Sequence, residues 1–191
     1  MARKNGAPQG SAAPDRGPGE SFEATATVPS PNDRHEHGRR LALLLAAKGY
    51  CTSLVRLEHD ETGARTVEDF LGLPWSSVST DDPRTVEALW DRFPQATHPL
   101  VDCGKSRIVV ADCDPWRHPG AIDDWRRIAG IKPTDRVAWV PTPRGGRHYL
   151  YAANAHRPVG CRNDCWPGID VKGIGGAVFA YPGIWRKAGE L

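Results

Sequence analysis

Apolar positions along the chain fall into short periodic stretches separated by glycine, proline and charge. Three stretches carry the i, i+3, i+4 spacing of a helix with one apolar face. In residues 38–48, Leu41, Leu44 and Leu45 share a face, and Gly49 follows where a helix commonly ends in a left-handed residue. The second signal is fuller. Asp82 is placed as N-cap and Pro83 as first helical residue, Val86, Leu89, Trp90 and Phe93 point inward, and Pro94 stops the helix. A third helix is predicted over residues 119–129, with Ile122, Trp125 and Ile128 inward and Gly130 as its cap.

Period-two and continuous apolar runs predict the strands. Residues 52–57 are β-rich. Arg107-Ile-Val-Val-Ala-Asp112 is a continuous apolar run ending in charge, the mark of a buried central strand. Residues 136–141 and 147–152 flank Pro143-Arg-Gly-Gly146 and read as a hairpin. Residues 169–171 and 177–181 flank Lys172-Gly-Ile-Gly-Gly176 and read as a second one. The pattern predicts an α+β fold, with a mixed or antiparallel sheet covered by a few helices.

Composition narrows the class. The 191 residues suffice for one ordinary domain. Residues 1–34 hold five Pro, four Gly and a single aromatic, Phe22, and are expected to form a disordered tail, leaving residues 35–191 as the domain. Lys and Arg number 25 against 23 Asp and Glu, so a bulk polycation is excluded and any nucleic-acid contact must come from a local basic patch. The longest apolar run, Leu41-Ala-Leu-Leu-Leu-Ala-Ala47, is far short of the ~20 residues that span a bilayer, so no membrane partner is expected. Five cysteines with no signal peptide before them point to a reducing cytoplasm.

Candidate chemistry gathers at three places. In Asp112-Cys-Asp114, residues two apart on a strand point the same way, so two carboxylates project together from the end of the predicted central strand. Their repulsion is removed by a hard divalent cation such as Mg²⁺ or Mn²⁺, while the plainer reading is a solvated turn before Pro115. Asp170 lies between Ile169 and Val171, where a carboxylate is costly unless paired, metal-bound or turned to water on an edge strand. In Pro143-Arg-Gly-Gly-Arg-His148, glycines allow close backbone approach, and Arg144, Arg147 and His148 are phosphate donors within five residues; the plainer reading is an ordinary glycine turn. Lys172 lies two residues after Asp170, on the same polar face of that edge strand in the plainer reading.

The order of these pieces resembles the bifunctional primase–polymerase domain of the archaeo-eukaryotic primase superfamily, which occurs in replication proteins of phages and plasmids. The resemblance is carried by Ser79-Thr-Asp81 before the helix with Trp90, Ile108-Val-Val-Ala-Asp-Cys-Asp-Pro115, Thr142-Pro-Arg-Gly-Gly-Arg-His148 and Gly168-Ile-Asp-Val-Lys-Gly173, and covers about residues 38–185. It implies an RRM-like catalytic half beside a smaller N-terminal α/β unit. It also implies template-dependent synthesis and extension of primers by two-metal catalysis. Asp112, Asp114 and Asp170 match the family's metal-binding acids and His148 its nucleotide-binding histidine; Arg144, Arg147 and Lys172 join the nucleotide site by position and charge. The implied ligands are two Mg²⁺ or Mn²⁺ ions, NTPs or dNTPs and a single-stranded DNA template, with a replicative helicase, in cis or in trans, as partner. Cys113 stands where the family usually has a small residue. Residues 60–75 lack the family's Lys-rich loop.

Two other classes share the acids: a metal-dependent nuclease and a non-catalytic RRM-like nucleic-acid-binding module. The Arg/His hairpin argues against the first and the retained acids against the second. His156, Cys161 and Cys165 have a spacing that suggests zinc, but no fourth ligand is evident, so zinc is not expected. Trp116, Trp166 and Trp185 are candidates for base stacking, and Trp90 and Trp125 for the core.

Overall fold

The computed structural model describes residues 30–186, so residues 1–29 of the expected tail and the last five residues lie outside it. Helix α1 (Pro31–Ala47) begins well before the expected Gly38. Ser30 and Asp33 form a capping box and Pro31 supplies the first turn. These are the same polar and proline residues that composition alone assigned to the tail. The helix buries Gly38, Ala42, Leu45 and Ala46, whereas Leu44, expected inward, is exposed.

The chain continues through β1 (Thr52–His59), β2 (Arg65–Asp69), α2 (Trp75–Val78) and α3 (Pro83–Arg92). Asp82 caps α3 as predicted, its carboxylate accepting the Thr85 N–H at 3.0 Å. Val86 and Trp90 are its buried residues. Then come β3 (His98–Asp102), β4 (Ile108–Cys113), α4 (Ala121–Ile128), β5 (Trp139–Pro141), β6 (Arg147–Ala152), β7 (Arg162–Trp166), β8 (Ile169–Lys172) and β9 (Ala177–Phe179). Ile122 and Trp125 of α4 pack inward, but Ile128 is exposed.

Two antiparallel sheets result, a four-stranded one in the order β2-β1-β3-β9 and a five-stranded one in the order β5-β6-β4-β8-β7. The continuous apolar run is central, with β6 and β8 on its two sides. The β5–β6 hairpin forms as predicted. The second predicted hairpin does not: β8 pairs with β7 and β4, and β9 crosses to pair with β3 in the other sheet. The glycines of 173–176 turn the chain, with the Gly176 N–H bonding the Gly173 carbonyl at 3.0 Å and Gly175 at φ +79°, and two of them are also required by packing. A Cβ on Gly173 would collide with the Val159 carbonyl, and one on Gly176 with Cys161 Sγ.

Three apolar clusters hold the layers. One joins both sheets through Val101 and Val178 on one side and Ile108, Val110 and Leu150 on the other, with Tyr50 and Trp185. A second packs α1 and α3 on β1 around Trp90, whose truncation to Ala costs about 3–5 kcal/mol. The third seats α4 beneath Ala111, Cys113, Tyr149 and Ile169 of the five-stranded sheet. No described helix is long and apolar enough to cross a membrane.

Candidate active site

Beyond their shared core the two sheets part into a cleft of about 790 Å³. The five-stranded sheet contributes Asp112, Asp114, His148, Asp170 and Lys172 to its walls, and the other sheet contributes His59 and Arg65 among others. Strand register explains the gathering. Asp112 on β4 stands directly opposite His148 on β6 and directly opposite Asp170 on β8. Alternation carries Asp114 to the same face, while Cys113 is buried on the other, where burial and the neighbouring Asp112 push its thiol up to about 12. Five of the seven residues singled out from sequence therefore meet on one wall, and Arg144 joins them from the hairpin tip. Arg147 does not. It shares the other face with Tyr149, stacks on Trp139 at 4.3 Å, and donates to Tyr149 Oη at 3.3 Å.

The acids are unequal in their partners. Asp170 Oδ1 accepts from Arg117 at 3.1 Å and from the Asp164 N–H at 2.9 Å, and its Oδ2 accepts from Lys172 at 3.1 Å. Lys172 also donates to Asn163 at 2.7 Å. Arg117 pairs in addition with Asp164, and with Asp114 at 3.6 Å. Among the described residues Asp112 pairs with His148, whose Nε2 lies 3.3 Å from Oδ1 without hydrogen-bond geometry. Asp112 Oδ1 and His148 Nδ1 are buried with no hydrogen-bond partner. Burial, and then the charge of Asp112, raise the Asp114 carboxyl above the ordinary carboxylate range.

Glycine lets the hairpin reach the acids. A Cβ on Gly146 would lie 2.6 Å from the Cys113 carbonyl oxygen and 3.4 Å from Asp114 Oδ1. At the tip, Gly63 of the β1–β2 turn, at φ +76°, abuts the Pro143 carbonyl, so the two sheets also meet across the cleft mouth. Arg144 stacks on the exposed ring of Trp116 at 3.8 Å. Trp166 packs against Trp125, and Trp185 is buried in the shared core rather than available for stacking.

Several cleft residues carried no signal in the sequence. Tyr181 lies 6.1 Å from His148 and 5.9 Å from both His59 and His98, centroid to centroid, and links the site to the four-stranded sheet. Burial lowers the His98 pKa to about 4, and burial followed by Arg65 lowers that of His59. Arg117, in the turn after Asp114, is equally silent; its sequence mark is its position three residues after an acid.

Cys161 lines the cleft, whereas Cys165 packs beneath the sheet, donating to the Ile169 carbonyl at 3.1 Å, so the two thiols are not brought together. As their side chains stand, no group of three His, Cys, Asp or Glu among the described residues is disposed to hold a metal ion. The donor chemistry nonetheless fits a hard divalent cation at Asp112 and Asp114. One has a buried oxygen without a hydrogen-bond partner, and burial, then the charge of Asp112, raises the carboxyl pKa of the other.

A family model described as bifunctional DNA primase/polymerase, N-terminal, matches residues 42–190. No curated protein matches the chain.

Proposed function

The chain belongs to the bifunctional DNA primase/polymerase family, and from that premise we propose that it is a template-dependent nucleotidyltransferase that starts and extends DNA primers by two-metal catalysis. The observation that carries this reading is the register of β4, which sets Asp112 opposite both His148 and Asp170 at the floor of a cleft large enough for a nucleotide. The five-stranded sheet is the RRM-like catalytic half. The smaller unit is the four-stranded sheet with α1 and α3, N-terminal except for β9. The setting is replication of a phage or plasmid.

Asp112 and Asp114 would hold the divalent cations, with Asp170 as the third acid. Mg²⁺ or Mn²⁺ bound there would supply Lewis-acid charge for the phosphoryl group and the attacking hydroxyl. The protein's own groups do the rest. His148, fixed on β6 between Asp112 and Tyr181, donates to phosphate oxygens of the incoming nucleotide. Lys172 and Arg144 offset charge that grows on the phosphates as the bond to the leaving group lengthens. Trp116, with Arg144 across its face, stacks a base of the single-stranded template at the cleft mouth.

The test is incorporation of labelled nucleotides on an unprimed single-stranded DNA template with Mn²⁺. Extended products support the reading. Degradation of the template with metal alone and no incorporation identifies a nuclease instead, and template binding with neither activity identifies a binding module.

A further inference from the structure

The acid cluster contains its own cation. Arg117 leaves the chain in the turn that follows β4, where its N–H bonds the Asp114 carbonyl at 3.0 Å. Its guanidinium reaches three carboxylates: Asp170 at 3.1 Å, Asp114 at 3.6 Å, and Asp164. Burial works against its charge, but its bonds to Asp170 and Asp114 hold its pKa above the ordinary value.

The backbone around it is shaped for this contact. Asp164 has φ +49°, a left-handed conformation uncommon for a residue with a side chain. It lies where the β7–β8 register slips. That conformation aims its N–H at Asp170 Oδ1, at 2.9 Å, while its carboxylate holds Arg117. A left-handed backbone of this kind persists where the surroundings enforce it. Asp170 is thereby held among cations and donors, and Asp112, directly across the ladder, is left with an oxygen lacking a hydrogen-bond partner.

We propose that Arg117 is a positioning residue that serves as the internal counter-ion of the acid cluster, and that it competes with a divalent cation for Asp170. In the metal-free protein the guanidinium neutralises Asp170 and keeps β7 docked through Asp164. A divalent cation drawn to Asp112 and Asp114 recruits Asp170 Oδ1 only by displacing Arg117. This inference rests on the metal reading of the three acids.

The experiment measures Mn²⁺ binding by calorimetry, without nucleotide or template, on the full chain and two variants. Arg117→Gln removes the competing charge and should tighten Mn²⁺ binding by about tenfold, the scale of one charge-assisted bond. It should also lower the melting temperature in EDTA, a loss that Mn²⁺ reverses. Arg117→Lys keeps a competing charge and should stay within about twofold of wild type. Unchanged or weaker Mn²⁺ binding in Arg117→Gln overturns the proposal, since a merely structural arginine gives that result. If Arg117→Gln does not fold in EDTA, folding restored by Mn²⁺ supports the exchange of one cation for another, and failure of Mn²⁺ to restore it overturns it. Absence of Mn²⁺ binding in wild type and both variants overturns the metal reading and the proposal with it.

Discussion

Asp112 and Asp170 stand directly opposite each other in the β4–β8 ladder, yet Asp170 is held by Arg117 and Lys172 while Asp112 Oδ1 has no hydrogen bond. Carboxylates directly opposite on one sheet face repel unless a cation intervenes. Among the described residues, arginine and lysine side chains hydrogen-bond only Asp170 of the pair. The charge deficit is therefore greatest at Asp112, on the central strand beside Asp114, and that is where an added divalent ion should stabilise most.

Asp114 makes the deficit measurable. Its folded-state pKa is raised by burial and by Asp112. A folded pKa above the unfolded one means that the folded state binds more protons, so this group's contribution to stability falls as pH rises through the carboxylate range. In EDTA at neutral pH, Asp114→Asn should melt above wild type, and the difference should shrink toward acid. Thermal melts across pH check this; a variant that melts below wild type at neutral pH contradicts it.

His98 acts in the opposite sense. Burial, with His59 beside it, lowers its pKa from 6.5 to about 4. Its contribution to stability is full above the unfolded value and is lost as pH falls through that window. Urea denaturation should show stability falling between about pH 7 and about pH 5, and the fall should be shallower in His98→Gln. An equal slope in both proteins shows that His98 is not the group responsible.

Trp116 is assigned to the template, with Arg144 across its ring. Trp116→Ala should weaken binding of a labelled oligothymidylate by about tenfold, the scale of one lost base stack. Nucleotide affinity should be unaffected. Fluorescence anisotropy reads the first and calorimetry the second. Loss of nucleotide binding alone would move Trp116 to the nucleotide site.

What was legible follows burial. Ile108-Val-Val-Ala reads as a central strand because both of its faces are covered, one by the shared core and one by α4. Asp112, Asp114, His148 and Asp170 were legible because side-chain alternation and β4 pairing turn sequence order into one wall. The exposed β2 was not, since Arg65-Thr-Val-Glu-Asp69 has almost nothing to bury. Strand β3 hides behind Pro99, which sits within its ladder opposite Leu54. The misread β8–β9 hairpin has a comparable cause. Gly173 and Gly176 make room for Val159 and Cys161, a need for space that no local pattern reveals. Arg117 and the left-handed Asp164 depend on a long-range contact and leave no periodic trace.

Metal-dependent nucleotide transfer by these acids is read by primer extension on a single-stranded DNA template with Mn²⁺ and labelled nucleotides, comparing wild type with Asp112→Asn. The substitution keeps the size of the side chain and removes its charge at the acid whose buried Oδ1 lacks a hydrogen-bond partner. Wild type should extend the primer, and the variant should lose at least about 100-fold, with template binding retained. Extension by Asp112→Asn at a near wild-type rate shows that these acids do not carry the reaction.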